Sequence, residues 1–265
     1  MPIAVVTGAA SGIGRALAVA LARDGYTLAL ADRDAAGLEE TIALLPDRRI
    51  AEAHVLDVAD LPAVERFAGE VRRAHGGVDL LINNAGIGIG GTIAELTVAE
   101  MRHVVDVNFW GVVHGVKAFL PALLARGDGT IVNVASVFGL WGPPGQAPYA
   151  ASKFAVRGFS ESLRGELQGT RIHVVTVFPA GIKTSIARNS PIAAAVANRA
   201  VAEKRREEFE RRLLTIPPER AAAAILEGVR KRRDRVLIGR DAYRIDLLTR
   251  ILGSRGARLL ASRVR

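Results

Sequence analysis

Ile3-Ala4-Val5-Val6-Thr7-Gly8-Ala9-Ala10-Ser11-Gly12-Ile13-Gly14 is an apolar run that breaks at a glycine turn and passes directly into a helix-spaced stretch near 12–23. An uninterrupted apolar run bounded by glycine reads as a strand buried on both faces. Thr27–Ala31, Ala51–Leu56, Val78–Ile82, Thr130–Val134 and Arg171–Val177 read as further buried strands. Between them, segments near 35–45, 60–75, 97–125 and 148–168 carry apolar residues at helical spacing. A seventh strand is expected at Arg235–Ile238, after a helix near 217–232 whose Pro217-Pro218 suits a first turn. Alternating strands and helices joined by right-handed crossovers imply a parallel sheet with helices on both faces. The expected fold class is α/β, a doubly wound sheet of about seven strands forming one domain over residues 1–265. Ligands in such sheets bind beyond the carboxyl ends of the strands, where strand order reverses.

At 265 residues with 49% hydrophobic content, the chain can bury one large core, and no Pro/Ser-rich linker or repeat divides it. Cysteine is absent, so neither a disulfide framework nor a thiolate site is available. His54, His75, His103, His114 and His173 lack ligand-like spacing, and no metal is expected. The N-terminal residues lack the basic and long apolar regions of a signal peptide, and no apolar run approaches the ~18 residues of a bilayer span, so a cytoplasmic location is expected. The net charge of +9 sits entirely in the last quarter: residues 1–202 hold 18 basic and 18 acidic residues, residues 203–265 hold 18 and 9. Such a region is a solvated basic face or a docking site for anionic lipid, an acidic protein or an anionic substrate. Aromatic residues, at 5%, do not interleave with it as base stacking requires, which argues against nucleic acid.

The turn from Gly8 through Ser11, Gly12, Ile13 and Gly14 places free N–H groups at a helix N-terminus, a cradle for pyrophosphate in a Rossmann-type unit. The second strand ends in Leu30-Ala31-Asp32, where a carboxylate can accept hydrogen bonds from ribose hydroxyls and would repel a 2′-phosphate. NAD is therefore expected over NADP, although Arg33 follows and Arg15 lies nearby as cations for a phosphate; the alternative for Asp32 is a turn-forming role ahead of Asp34. Asp57-Val58 ends the third strand, where the acid can meet the adenine amino group and the valine pack on its ring. Asn83-Asn84-Ala85-Gly86 ends the fourth and lets backbone approach the adenosine half; Gly88, Gly90 and Gly91 read as flexibility in the loop that follows.

Tyr149 and Lys153 are four residues apart in Pro148-Tyr149-Ala150-Ala151-Ser152-Lys153, which on a helix puts phenol and ammonium on one face, ~6 Å apart along the axis. A neighbouring fixed cation favours the phenolate and draws the tyrosine pKa down from its usual value near ~10. Thirteen residues before the tyrosine, Ser136 follows the strand-like run that ends at Ala135.

Glycine turn, strand-end acid, Asp57-Val58, Asn83-Asn84-Ala85-Gly86, Asn108, Ser136 and the Tyr149/Lys153 pair follow one another in the order that resembles a classical short-chain dehydrogenase/reductase. The resemblance spans about residues 3 to 185. It implies that Asn84, Ala85 and Gly86 wall the adenosine pocket and that Asn108, Ser136, Tyr149 and Lys153 form a catalytic tetrad. In it Tyr149 exchanges the substrate proton while hydride passes at the nicotinamide, and Lys153 holds the nicotinamide ribose and lowers the tyrosine pKa. Ser136 orients the substrate oxygen, and Asn108 interrupts its helix and holds a water that relays protons to the lysine. Aligned on Pro179 and Thr184, the chain has Ala180 where the family usually has glycine, a methyl that tightens the substrate end of the pocket or demands a negative φ; Ile182 and Thr184 fit the grip on the carboxamide.

Residues 185–215 occupy the place of a substrate lid, expected to be helical and mobile. Val137, Phe138, Gly139, Leu140, Trp141 and Pro143 lie between the serine and the tyrosine and suit an apolar wall, with Trp141 either lining it or packing in the body. A small-molecule secondary alcohol or ketone, apolar in character, is the expected substrate. The segment 240–265 is basic and amphipathic, with Ile245, Leu248, Ile251 and Leu252 on a stripe amid Arg244, Arg250, Arg255 and Arg258, suited to a subunit interface or to peripheral contact with an anionic membrane. The resemblance implies a homo-oligomer, dimer or tetramer, joined through the helices near 97–125 and 148–168. Two other functions fit less well: an NADP-dependent ketoreductase acting on a carrier-bound acyl chain, which Asp32 opposes, and a dinucleotide-binding module without catalysis, which has no need of Ser136 with Tyr149 and Lys153.

Overall fold

The computed structural model describes residues 1–184, 190–193, 195–196, 203–204, 207–208, 211 and 214–262. Strands β1 (Ile3–Thr7), β2 (Thr27–Asp32), β3 (Ala51–Val55), β4 (Leu80–Asn83), β5 (Gly129–Val134), β6 (Ile172–Pro179) and β7 (Arg235–Ile238) form one sheet in the order β3-β2-β1-β4-β5-β6-β7. Every pairing is parallel. Order reverses between β1 and β4, so the carboxyl ends of these two strands open the crevice in which a ligand is held.

The alternation of side chains across the pleat explains the two layers. Ala4 and Val6 of β1, with Leu28 and Leu30 of β2, face helix α1 (Gly12–Arg23) and helix α7 (Pro218–Arg230). Ile3 and Val5, with Ala29 and Ala31, face the opposite layer. There they meet α3 (Leu61–His75), α5 (Gly111–Arg126) and α6 (Ala147–Glu166) through Phe67, Phe119 and Leu163. Each such side chain contributes about 1.5–3 kcal/mol of burial, which is why the central strands read as uninterrupted apolar runs. The short helix α2 (Ala35–Ala43) joins β2 to the edge strand and starts at Asp34, whose carboxylate accepts the Gly37 N–H at 3.0 Å.

Two expectations change. The strand expected at Ala51–Leu56 was read as buried, yet β3 is the sheet edge and its Glu52, Ala53 and Val55 are exposed. A strand with one neighbour needs no second covering layer, and alternation of small and polar residues suffices. The stretch near 97–125 is α4 (Val98–Val105), a π-helical turn at Asp106–Trp110, and α5. Against the expectation of no apolar run near bilayer length, Val98–Arg126 is long and apolar enough to cross a membrane by length and composition alone. Here its Val116, Phe119 and Leu123 are buried between the sheet and α3. Beyond β7 come α8 (Arg240–Leu252) and α9 (Ser254–Ser262), the latter unforeseen.

Candidate active site

The glycine turn is held by contacts that leave no room for side chains. Gly8 has a φ of +67°, and a Cβ on Gly14 would lie 2.0 Å from the Gly8 carbonyl oxygen. Helix α1 therefore starts directly against the turn, with its first N–H groups facing the crevice. Asn84 ties the end of β4 to the same turn: its Nδ2 donates to the Thr7 and Gly8 carbonyls at 3.0 and 3.2 Å, while the Thr7 Oγ1 accepts the Asn84 and Ala85 N–H groups. The groove above is lined by Gly8, Ser11, Gly12, Ile13, Asp32, Arg33, Asp57, Val58, Asn84, Ala85, Gly86 and Thr184, all named from the sequence. Ala10, Asp34, Leu56, Ile87 and Val107 line it as well, and so does Gly88, which the sequence reading had given to loop flexibility.

Asp32 accepts hydrogen bonds from the Ala10 N–H at 3.0 Å and the Asp34 N–H at 3.1 Å, so its carboxylate is fixed at the groove's rim beside the glycine turn. The turn-forming role and a place at the groove are both present in one residue. Arg15, considered as a cation for a phosphate, is committed elsewhere: it meets Glu40 at 2.7 Å, Thr41 Oγ1 at 3.0 Å and the carbonyls of Ala10 and Gly37. Arg33 lines the groove. The donors at the α1 N-terminus, the bare glycine surface and the Asp32 carboxylate fit a dinucleotide.

Deeper in, four polar side chains meet. The π turn brings Asn108, fully buried, to Ile87, whose N–H it accepts at 2.8 Å and whose carbonyl it bonds at 2.9 Å; its Nδ2 also donates to Ser152 Oγ at 3.1 Å. Ser152 in turn donates to the Tyr149 carbonyl at 2.7 Å, linking the π turn to α6. Gly86 lies against this group, since a Cβ there would stand 3.2 Å from Asn108 Oδ1 and 3.5 Å from Lys153 Nζ. Lys153 is 3% exposed and donates to the Val134 carbonyl at 2.9 Å; burial of its ammonium pushes its pKa down to about 8. Ser136, buried just past β5, accepts the Phe138 N–H at 3.2 Å and is near enough to the Tyr149 hydroxyl to influence its titration.

The tyrosine's titration departs from the sequence expectation. Burial pushes the Tyr149 pKa up, and the Ser136 hydroxyl draws it the other way without overcoming that. The Lys153 ammonium stands 5.7 Å from the Tyr149 ring centroid. Desolvation thus sets the direction of the shift in both residues.

Of the remaining residues, Ile182 is buried in the layer with α1 and α7, its backbone bridged to Ile216, and it is not among the groove's lining. Thr184 sits over Gly12, its methyl 3.1 Å from where a Cβ would be. Pro179 ends β6, half-buried, away from the groove lining. Ala180 has a negative φ, with the left-handed turn taken by Gly181 at +68°. Its methyl packs with Val137 and Ala242 of α8, in the body of the protein.

Trp141 also packs in the body, donating its Nε1–H to the Ala257 carbonyl of α9 at 3.2 Å. Phe138 stands between it and Tyr149, edge-on to both rings with centroids 6.2 and 6.0 Å away. Tyr149 also packs against the cluster of Ile89, Leu96, Val104 and Ala193. Gly90 and Gly91, read as flexibility, are stitched in: Gly90 bonds Pro191 and Ala193, and the Gly91 N–H donates to the Gly145 carbonyl at 3.2 Å. The expected lid over 185–215 lies mostly outside the described residues. His54 and His75 both approach Glu52, at 3.6 and 3.4 Å, yet among the described residues no group of three or more metal-type ligands could hold an ion.

A glycine cradle with a strand-end acid on a doubly wound sheet, its Gly86 wall backing onto Asn108 and the buried Lys153, fits a nicotinamide-dinucleotide-dependent oxidoreductase, with Ser136 and Tyr149 outside the groove lining itself. The sequence profile of the short chain dehydrogenase family matches residues 2–194, and the chain belongs to that family. SadH of Mycobacterium tuberculosis, named as an oxidoreductase, is 45% identical over 265 residues, covering 99% of this chain and 95% of SadH. A short-chain dehydrogenase/reductase of Burkholderia phymatum, solved in complex with NAD, superposes with a TM-score of 0.84 at 31% identity over 94% of this chain and 92% of that one. An alcohol dehydrogenase of the archaeon Thermococcus sibiricus, complexed with 5-hydroxy-NADP, has a TM-score of 0.76 at 28% identity, covering 90% of this chain and 96% of that one.

Proposed function

We propose that the protein interconverts an apolar secondary alcohol and its ketone, using NAD(H) in preference to NADP(H). Ser136 and Tyr149 brought together beyond the end of β5, with the Lys153 ammonium 5.7 Å from the tyrosine ring and buried behind the Gly86 wall of the groove, carry the reading. A bound nicotinamide accepts or supplies the hydride. Tyr149 transfers the proton of the substrate oxygen and Ser136 hydrogen-bonds that oxygen, holding it at one distance from the ring. Lys153, charged below about pH 8, favours the phenolate and bonds the nicotinamide ribose. Asn108 acts by position: it ties Ile87 at the groove to Ser152, the neighbour of Lys153 on α6, and holds a relaying water beside Lys153.

Support for NAD comes from the Asp32 carboxylate at the rim and from Arg15, which is occupied with Glu40. The NAD complex of the Burkholderia relative agrees with it, and the NADP analogue on the Thermococcus enzyme shows that this fold takes either. Support for an apolar substrate comes from Phe138 edge-on to the Tyr149 ring and from the cluster of Ile89, Leu96, Val104 and Ala193 against which Tyr149 packs. The grip of Thr184 and the Ile182 backbone on the carboxamide, and a lid over 185–215, belong to the same reading. So does a cytoplasmic dimer or tetramer, for which Trp110, Leu124 and Phe154 offer exposed apolar side chains along the long helices.

Separate fluorescence titrations with NADH and NADPH, followed by turnover of a panel of secondary alcohols and ketones on the preferred cofactor, test it. Tighter NADH binding and a specificity constant rising with substrate apolarity are expected. Tighter NADPH binding, or turnover confined to carrier-bound acyl chains, contradicts it.

A further inference from the structure

We propose that the outward face of α8 docks the protein on an anionic lipid surface. Helix α8 packs onto the body through Ala242, fully buried, and Ile245, which joins Val137 and Ala180. Opposite that seam, Tyr243, Leu247 and Ile251 repeat every four residues and therefore form one stripe along the helix. They are 58%, 58% and 71% exposed, far more than large apolar side chains on a face that the fold itself covers. The sequence pattern marked Ile245, Leu248, Ile251 and Leu252 as a single stripe. The structure divides that set, turning Ile245 inward and Ile251 outward.

The charges around the stripe decide what covers it. At 100° per residue, Arg250 falls on one flank of the stripe and Arg244 on the other, with Arg240 in line at its N-terminal end; all three are exposed. Arg255 and Arg258 of α9 are exposed as well, with Arg258 turned toward a groove it shares with Trp141, Pro143 and Phe154. The two acids of α8 are outnumbered: Asp246 is shared between Arg235 at 2.7 Å and Arg250 at 3.1 Å, and Asp241 meets Arg244 at 3.7 Å, so Arg235, Arg240, Arg244 and Arg250 against two carboxylates leave this face positive. Were a second copy to cover this stripe across a two-fold axis, each copy's flanking arginines would face those of the other, a like-charge contact in which the carboxylates are outnumbered. An anionic bilayer surface satisfies both components at once, taking the apolar side chains below the headgroups and the guanidinium groups at phosphate level.

Co-sedimentation of the full chain with vesicles of phosphatidylglycerol and phosphatidylcholine in equal parts, and with phosphatidylcholine alone, tests the proposal. The wild type should pellet with the anionic vesicles, bind the neutral ones at least about tenfold more weakly, and be released by salt. Leu247→Glu with Ile251→Glu should weaken anionic-vesicle binding by about tenfold or more, and Arg240→Gln with Arg244→Gln by roughly fivefold per charge. Melting temperature and NADH affinity should be unchanged in both variants, which separates lost docking from lost folding. Failure of the wild type to bind anionic vesicles, or wild-type binding by the double glutamate variant, overturns the proposal. So does conversion of a dimer or tetramer to monomer by Leu247→Glu with Ile251→Glu in analytical ultracentrifugation, which would assign the face to a second copy.

Discussion

Replacing Lys153 by methionine should raise stability near neutral pH and abolish a rise in stability that the wild type shows toward alkali. Lys153 is 3% exposed, and burial brings its pKa from 10.5 to about 8. Because the folded value lies below the unfolded one, the unfolded chain binds the extra proton between these two values, and the free energy of unfolding rises with pH across that window. The full shift is worth about 3.4 kcal/mol, of which about 2 kcal/mol is regained between about pH 7 and about pH 9.5. Methionine keeps much of the stem without the charge. It leaves the Val134 carbonyl without the bond now made at 2.9 Å, a loss of about 1 kcal/mol. The variant should therefore exceed the wild type by roughly 2 kcal/mol near neutrality, and the two should nearly converge at the alkaline end. Tyr149, whose pKa is raised, lowers stability only above its ordinary pKa, and to a first approximation in both proteins. Urea denaturation of the dinucleotide-free proteins, followed by circular dichroism at each pH, measures the difference. A gap between variant and wild type that stays constant with pH would refute the desolvated ammonium.

Asp32→Asn removes the charge at the groove rim but keeps an acceptor for the Ala10 N–H. The ratio of NADPH to NADH affinity should rise by about tenfold or more, and an unchanged ratio would take Asp32 out of cofactor choice. Trp141→Phe deletes the indole donor to Ala257 and leaves an aromatic ring against Phe138. Because Phe138 forms one wall beside Tyr149, KM for a bulky ketone should rise several-fold with NADH affinity unchanged, whereas equal losses for all substrates would point to general destabilisation.

The central strands were legible because burial on both faces leaves nothing but apolar residues in them, and Ala4, Val6, Leu28 and Leu30 each lie where that pattern puts them. The edge strand was misjudged for the same reason, since the run around Ala53 resembles a core strand until the sheet order is known. The groove residues were legible as a linear order of short motifs, each at a strand end. Less visible were contacts that depend on tertiary approach. The edge-on placing of Phe138 against Tyr149 and the bond from Trp141 to Ala257 join segments with no shared periodicity. The direction of the Tyr149 shift was misread because spacing gives the distance to Lys153 but not the desolvation that sets that direction. The lone oddity at Ala180 found its reason only in α8, whose Ala242 receives the methyl.

The most direct measurement on the central claim is turnover of Tyr149→Phe beside its affinity for NADH. The ring, and with it the packing against Phe138, survives the substitution, so the hydroxyl alone is removed. Loss of catalysis by about 100-fold or more, with NADH binding and melting temperature near wild type, is the predicted result. Wild-type turnover in that variant would contradict proton transfer by Tyr149 and leave the chain a dinucleotide-binding member of its family whose chemistry lies elsewhere.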